Sequence, residues 1–295
     1  MADIFELAQI SAELFNKSKD STLIFNKDKK FFLLRQESPA NLGATVYEPA
    51  LCLILQGRKE VITSQRSFSF GVGELLVISH GVPVVSKITE ASASSPYLAL
   101  VLGLDINIVR NLYNEYADIP FDKDQAHSLK VNEASSDIID CLFRLLCASQ
   151  SATDSVVLLP QILREVHYRL LQAPCGGMLR NLLQANSHAS KISKAISLIH
   201  RRYSSSLSVA DVARTVGMST SSFFHHFKAI TESTPLQYQK TLRLLEARKL
   251  LLSEGESVTL AALRVGYESP SQFSREYVRK FGSTPSSDSR AGLVG

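Results

Sequence analysis

Residues 208–217 read SVADVARTVG, and residues 257–266 read SVTLAALRVG. The two segments begin 49 positions apart, and each opens with a serine that can accept hydrogen bonds from the free N–H groups at a helix start. Apolar residues follow at intervals of three and four, which predicts one buried face on each helix. Each segment ends in a glycine, Gly217 or Gly266, where a left-handed helix cap costs little. The sequence therefore predicts two copies of one short amphipathic helix.

A second helix is predicted after each copy. Ser219 can cap the first of these helices, and Ser269 followed by Pro270 can open the other. Two helices joined by a glycine-containing turn form a helix-turn-helix, whose second helix can enter the major groove of DNA. For a single copy, plain packing of a helical hairpin is an equal alternative. Two copies at matched spacing favour DNA binding.

A longer helix is predicted between the two copies, from Thr234 and Pro235 to about Ser253. Its roughly 19 residues would span about 28 Å at 1.5 Å each. One turn of B-DNA is about 34 Å long, so this helix could present both second helices to successive stretches of the major groove. The shorter span predicts a tilt of the helices or a bend in the DNA.

Charge is unevenly divided along the 295 residues. Residues 190–295 hold 15 Lys and Arg against 8 Asp and Glu, whereas residues 1–189 hold 17 against 20. A basic C-terminal third is typical of a module that binds a polyanion, although an ordinary solvated surface could have the same composition. The hydrophobic content of 45% excludes an intrinsically disordered chain, and the length favours two domains.

The first two thirds of the chain show a different pattern. Short β-rich runs separated by turn residues predict an antiparallel sandwich or barrel between about residues 30 and 104. A short helix is expected over residues 3–15, a helical region over about 106–186, and a linker over 186–190. Examples of these β-rich runs are residues 31–34, 51–55, 60–63, 74–79 and 97–103.

Several motifs resemble one family of bacterial transcription regulators. Residues 216–219 (VGMS), 234–238 (TPLQY), 243–251 (RLLEARKLL) and 265–269 (VGYES) are similar to motifs of the AraC/XylS family. This resemblance covers about residues 190–285. Upstream, residues 52–59 (CLILQGRK) and 160–166 (PQILREV) resemble the cupin-like N-terminal domain of one AraC subgroup.

The resemblance implies an α+β multidomain protein. Residues 1–186 would form a cupin-like antiparallel β-barrel with flanking helices, which either binds an effector or serves only dimerisation. Residues 191–295 would form an all-α DNA-binding domain with two helix-turn-helix motifs. Two departures from the family pattern stand out. Residues 286–290 (SSDSR) replace the usual Tyr-Arg after Pro285, so the closing helix is expected to be short. Leu260 and Leu263 place apolar surface where the second motif is usually polar.

Positions that match the family motifs imply a set of DNA contacts. Arginine can form paired hydrogen bonds with guanine, glutamine with adenine, and an aromatic ring can pack on a thymine methyl group. Basic side chains nearby are expected on phosphates, which position the protein without specifying sequence. Packing in the core beside Phe223 is the alternative for Phe224, and a phosphate or an intramolecular glutamate is the alternative for Arg275. The expected base contacts are Ser221, Phe224, His225, Ser271, Gln272 and Arg275, and the expected phosphate contacts are Lys228, Arg243, Arg279 and Lys280.

No cofactor or metal is expected. Cupin metal centres use His-x-His, but residues 30–104 contain only His80. Adjacent His225 and His226 would point about 100° apart on a helix and chelate poorly. The chain is expected to be a non-enzyme that binds duplex DNA, with RNA polymerase, a small-molecule effector and a second copy as partners. The alternative is a metal-free cupin-like enzyme or small-molecule-binding protein with a helical interaction tail.

The location of the protein is expected to be the cytoplasm. No stretch approaches the ~20 apolar residues of a membrane helix, and the first residues lack the basic flank and apolar core of a signal peptide. The four cysteines show no C-x-x-C spacing, which favours reduced thiols. Cys52 lies in an apolar run and is expected to be inert core, with a reactive sensing thiol as the alternative.

Overall fold

The computed structural model describes residues 1–18, 20–26, 31–115, 128–184, 186–253 and 255–292. In the N-terminal region the strands are β1 (Leu23–Asn26), β2 (Phe31–Gln36), β3 (Ala40–Tyr47), β4 (Ala50–Gln56), β5 (Arg58–Ile62), β6 (Ser67–Gly71), β7 (Glu74–Ile78), β8 (Val82–Glu90), β9 (Tyr97–Gly103) and β10 (Leu129–Glu133). The helices of this region are α1 (Ile4–Lys17), α2 (Ile106–Glu115), α3 (Ser136–Ser149), α4 (Ala152–Val157), α5 (Leu159–Gln172) and α6 (Gly176–Leu183).

The strands form two antiparallel sheets. One has the order β1-β2-β9-β4-β7-β10 and the other the order β3-β8-β5-β6. A core of apolar side chains from both sheets fills the space between them, including Ile54 and Tyr97 from the first sheet and Phe70 and Ile88 from the second. The predicted antiparallel class is confirmed, and the strands are arranged as two facing sheets rather than one closed barrel.

Strand β4 shows why the first sheet lies at the centre of the domain. Its side chains are apolar on both faces, and six of its seven residues are buried. Cys52 and Ile54 point into the core between the sheets, whereas Leu51 and Leu53 join a second core with the helices. Alternate residues of a strand face opposite sides, so a continuous apolar run requires cover on both.

The helices α1, α3, α5 and α6 cover the outer face of the six-stranded sheet. The predicted helix over residues 3–15 is confirmed as α1, which begins with a capping box at Asp3. The region predicted to be helical from 106 contains an unforeseen strand, β10, which pairs with β7. Residues 116–127 of that region lie outside the described residues. Pro160 lies at the start of α5, where a proline fits the first turn of a helix.

The C-terminal region is entirely helical where described. Its helices are α7 (His188–Arg201), α8 (Val209–Thr215), α9 (Thr220–Thr231), α10 (Pro235–Ser253), α11 (Val258–Arg264), α12 (Pro270–Phe281) and α13 (Pro285–Gly292). The linker predicted over 186–190 is shorter than expected, because Ser187 caps α7 and the helix begins at His188. Both predicted glycine caps are confirmed, with φ of +67° at Gly217 and +87° at Gly266.

Helix α10 joins two small cores. Tyr238 near its start packs with Phe223 and Phe227 of the first motif. Leu251 near its end packs with Phe273 of the second motif. Because one continuous helix belongs to both cores, it fixes the two motifs relative to each other.

The closing helix α13 is short, as expected, and spans eight residues. The buried carboxylate of Asp288 holds it in place, accepting a hydrogen bond from the Tyr277 hydroxyl at 2.8 Å and pairing with Arg248 at 3.2 Å. None of the helices described is both long and apolar enough to cross a bilayer.

Candidate nucleic-acid interface

Helices α9 and α12 are built alike. Both are twelve residues long, and they begin 50 positions apart. The hydroxyl of Ser219 accepts a hydrogen bond from the backbone N–H of Ser222, and Ser269 does the same for Gln272. These caps fix where each helix starts, and hence which residues its exposed face presents.

Burial divides α9 into two faces. Phe223 and Phe227 are fully buried, whereas the side chain of Phe224 is 43% exposed. Core packing of Phe224 is therefore excluded, because the adjacent residue Phe223 occupies the core position. Ser221, Phe224, His225 and Lys228 are all exposed and line one open cleft.

Helix α12 repeats this division. Phe273 and Tyr277 are fully buried. Position 275 is the counterpart of position 225 at the 50-residue offset, so Arg275 stands where His225 stands in the first motif. Within the described part of the chain, the Arg275 guanidinium forms no ion pair, which leaves its donors facing solvent. The other exposed residues of the face are Ser271, Gln272 and Arg279.

Gln272 is held by a carboxylate that the sequence analysis did not single out. Its side-chain amide donates to Glu276 at 3.3 Å, and Glu276 also receives hydrogen bonds from Lys240 at 2.9 Å and the Tyr267 hydroxyl at 2.7 Å. Burial acts to raise the pKa of Glu276, but the hydrogen bonds from these partners have the larger effect, so the pKa lies below its ordinary value. The spacing of four between Gln272 and Glu276 was the available sequence signal.

The four basic residues expected on phosphates differ in position. Lys228 and Arg279 are exposed, and Lys280 is partly buried, which lowers its pKa. Arg243 does not fit the expectation. Its guanidinium donates to the carbonyl oxygens of Tyr203 at 2.7 Å, Gly266 at 2.9 Å and two neighbouring serines, so its donors are engaged inside the domain.

The two adjacent histidines of α9 have different surroundings. The ring of His226 stacks on that of His188 with 3.6 Å between centroids, while His225 is exposed. Burial, together with His188 and His225, lowers the pKa of His226. No group of three or more potential metal ligands occurs among the described residues.

A turn of the N-terminal region reaches the end of α9, a contact that sequence reasoning missed. Glu232 follows α9 with a left-handed φ of 55°, and the residue is 5% exposed. Its carboxylate pairs with Arg66 at 2.8 Å and accepts a hydrogen bond from the Thr63 hydroxyl. Ser64 and Gln65 of the same turn line the cleft that contains the exposed face of α9.

Comparison with known proteins identifies both regions. The family model of the AraC-type transcriptional regulator N-terminus matches residues 29–178, about half of the chain. The chain belongs to the AraC family. A helix-turn-helix domain model matches residues 194–291, the region of both motifs. The protein is therefore a DNA-binding transcription regulator of the AraC type.

Relatives of this AraC-type regulator match most of its length. The lactose operon transcription activator of Staphylococcus xylosus is 21% identical over 80% of this chain and 82% of its own. A crystal structure of ToxT from Vibrio cholerae covers 89% of this chain and 98% of its own, with 13% identity and a TM-score of 0.57. A ToxT structure bound to an unsaturated fatty acid covers 92% and 96%, with 11% identity and a TM-score of 0.57. At 11–13% sequence identity, these two structures establish the fold alone.

Proposed function

We propose that α9 and α12 are the recognition helices and that each reads bases in the major groove. The observation that carries the proposal is the matched pair of exposed faces, Ser221, Phe224 and His225 on one helix and Ser271, Gln272 and Arg275 on the other. The Arg275 guanidinium is suited to guanine and the Gln272 amide, oriented by Glu276, to adenine. The exposed ring of Phe224 is suited to a thymine methyl group.

Exposed cations beside these faces would bind phosphates. Lys228 and Arg279 flank the proposed base contacts at the ends of the two helices, and Lys280 lies beside Arg279. Phosphate contacts fix the register of a protein on the duplex without reading its sequence. Arg243 is assigned instead to the internal structure of the domain, because its hydrogen bonds join the residues before α8 to the turn after α11.

The two regions of the regulator would have separate functions. Residues 191–295 would bind operator DNA, and residues 1–186 would bind a small-molecule effector and a second copy of the chain. The fatty acid bound by ToxT supports an effector in this fold. We further propose that the protein is not an enzyme, that it works in the cytoplasm and that it contacts RNA polymerase from its operator.

The test is a selection of genomic DNA fragments bound by the full chain, followed by gel-shift titration of the enriched site at several salt concentrations. A specific complex that weakens steeply with salt is expected. The double variant His225→Ala/Arg275→Ala should lose preference for the site, while Lys249→Ala, an exposed lysine outside both recognition helices, should keep it. Equal binding to all fragments would contradict sequence reading, and no binding in dilute salt would favour the alternative of a small-molecule-binding protein or enzyme.

A further inference from the structure

Glu276 lies on α12, one turn after Gln272, and its side chain is 12% exposed. Its Oε1 accepts hydrogen bonds from the Lys240 ammonium of α10 at 2.9 Å and from the Gln272 amide at 3.3 Å. Its Oε2 accepts a hydrogen bond at 2.7 Å from the hydroxyl of Tyr267, in the turn between α11 and α12. Burial acts to raise the pKa of Glu276, but these hydrogen bonds lower it below its ordinary value, so the group is a carboxylate at neutral pH. The carboxylate is therefore held from outside its own helix and supports the exposed amide of Gln272.

The first motif is built without such a pair. At the 50-residue offset, Ser222 and His226 of α9 occupy the positions of Gln272 and Glu276. The ring of His226 stacks instead on that of His188, with 3.6 Å between centroids. Because α9 has the same serine cap and the same buried aromatic positions as α12, the carboxylate–amide pair is not needed to form a motif of this kind. Its role is therefore sought on the exposed face of α12.

The carboxylate determines which way the amide of Gln272 faces. A glutamine amide carries two N–H donors on its nitrogen and one acceptor oxygen, whereas a carboxylate only accepts. The nitrogen of Gln272 must therefore face Glu276, and one of its two N–H groups is occupied there. Turning the amide by 180° would place its carbonyl oxygen against the carboxylate, where two negative oxygens repel each other. One N–H and one carbonyl oxygen, side by side, remain for a base.

We propose that Glu276 is a positioning residue that makes Gln272 accept adenine and reject guanine. Adenine presents the acceptor N7 and the donor N6 amino group in the major groove, which matches the N–H and the carbonyl oxygen that remain. Guanine presents two acceptors, N7 and O6, so the carbonyl oxygen of the held amide would face an acceptor. An amide without Glu276 can turn its nitrogen toward the guanine O6. This inference rests on the proposed contact between Gln272 and a base.

The test uses the full chain and the DNA site enriched from the genome. Gln272→Ala is titrated against this site and its single-base variants, and the base pair at which its preference disappears is the one that Gln272 reads. At this pair the wild type should bind the site with adenine about tenfold more tightly than the site with guanine. Hypoxanthine, which has the major-groove edge of guanine without its minor-groove amino group, should be bound as guanine is.

Glu276→Met keeps a long side chain on α12 but offers no acceptor to the amide. The ratio of the affinities for adenine and guanine should fall to about threefold or less, because the released amide can face either base. Tyr267→Phe/Glu276→Met is titrated beside it, since this variant does not leave the buried phenol without an acceptor. The matched control is Glu268→Gln, at an exposed position two residues before α12. It loses the same charge, so it should bind all sequences slightly more tightly and keep the wild-type ratio.

A double-mutant cycle separates positioning from a purely structural role. When Gln272 is already alanine, Glu276→Met should leave the ratio unchanged, because there is no amide left to orient. A wild-type ratio in both Glu276 variants, or an equal change with and without Gln272, would overturn the inference while the base contact of Gln272 stands. If Gln272→Ala relaxed the preference at no base pair, or at one where the wild type prefers guanine, the proposed contact of Gln272 with adenine would be wrong and the inference with it.

Discussion

Arg275 and Arg279 lie one turn apart on the exposed side of α12, yet the proposed interface gives them different tasks. Arg275→Ala should lose about 1–3 kcal/mol of binding free energy on the selected site and relax the preference at one base pair, because paired hydrogen bonds to guanine are lost. Arg279→Ala should weaken every sequence alike. Titration of both variants against the selected site and single-base variants distinguishes them. An equal loss for Arg275→Ala on all of these sites would contradict base reading.

His80 is a residue whose protonation should affect stability. Its Nε2–H donates to the carbonyl oxygen of Ala189 at 3.1 Å, its Nδ1 lies 2.8 Å from the Ser79 hydroxyl, and burial lowers its pKa to about 4. The unfolded chain takes up a proton near pH 6.5, whereas the folded chain resists it. Stability contributed by neutral His80 is therefore present above pH 6.5 and is lost as the pH falls toward 4.

Between pH 7 and pH 5, the difference between the His80 pKa of the folded and the unfolded chain should lower the unfolding free energy by up to about 2 kcal/mol. Denaturant unfolding at several pH values should show a smaller loss for His80→Gln than for the wild type, because glutamine does not titrate. His225→Gln, at an exposed position, is the control and should follow the wild type. Parallel pH profiles for His80→Gln and the wild type would contradict the assignment.

At the scale of elements, the side chain of Arg243 connects three segments of the DNA-binding region. Its guanidinium donates to carbonyl groups just after α7 and to Gly266 at the end of α11. Arg243→Ala should lower the unfolding free energy by about 2 kcal/mol and leave the salt dependence of DNA binding unchanged. Lys228→Ala should show the opposite pattern, with unchanged stability and a slope of log affinity against log salt reduced by about 1.

Thermal unfolding and salt titrations of the two variants give this comparison. If Arg243→Ala reduced the slope of log affinity against log salt and left stability unchanged, Arg243 would have to be a phosphate contact after all.

The elements that the sequence predicted best are those with local signals. Serine caps and the glycines after α8 and α11 are set by a few neighbouring residues, and the structure places them where the repeat indicates. Strand β10 was missed because its main partner, β7, lies about 50 residues earlier. Strand β8 lies inside the predicted β-rich region but was not named individually there, and Pro83 interrupts its alternation near the start.

The same distinction between local and distant signals applies to the candidate site. Helical spacing identified the apolar, buried positions of α9 and α12, and the resemblance to the family motifs implied which of the other residues face DNA. It could not identify the ion pair of Arg66 with Glu232, whose members are 166 residues apart.

At the scale of the whole molecule, the two regions pack closely against each other. His80 contacts Ala189 of α7, and a Cβ at Gly81 would lie 2.7 Å from the Tyr238 hydroxyl of α10. The turn between β5 and β6 holds Glu232 at the end of α9. Ser64 and Gln65 of that turn line the cleft of α9, the first of the two proposed recognition helices, so a duplex that enters this cleft would meet the N-terminal region.

This arrangement predicts that loosening the contact favours DNA binding. Arg66→Ala removes the partner of the buried Glu232 carboxylate, which destabilises the packed arrangement relative to an open one. The variant also loses a positive charge, and electrostatics alone could only weaken its attraction to DNA. A gain in affinity of roughly 5-fold or more, corresponding to about 1 kcal/mol of coupling, would therefore report opening.

The matched control is Arg58→Ala, which lies on the same hairpin and pairs with Glu90 within the N-terminal region. It loses the same charge without touching α9, so its affinity for the selected site should be unchanged or slightly weaker. Gel-shift titration at one salt concentration compares the two variants with the wild type, and limited proteolysis reports whether the chain opens. An affinity of Arg66→Ala equal to or below that of Arg58→Ala would show that the packed arrangement does not compete with DNA.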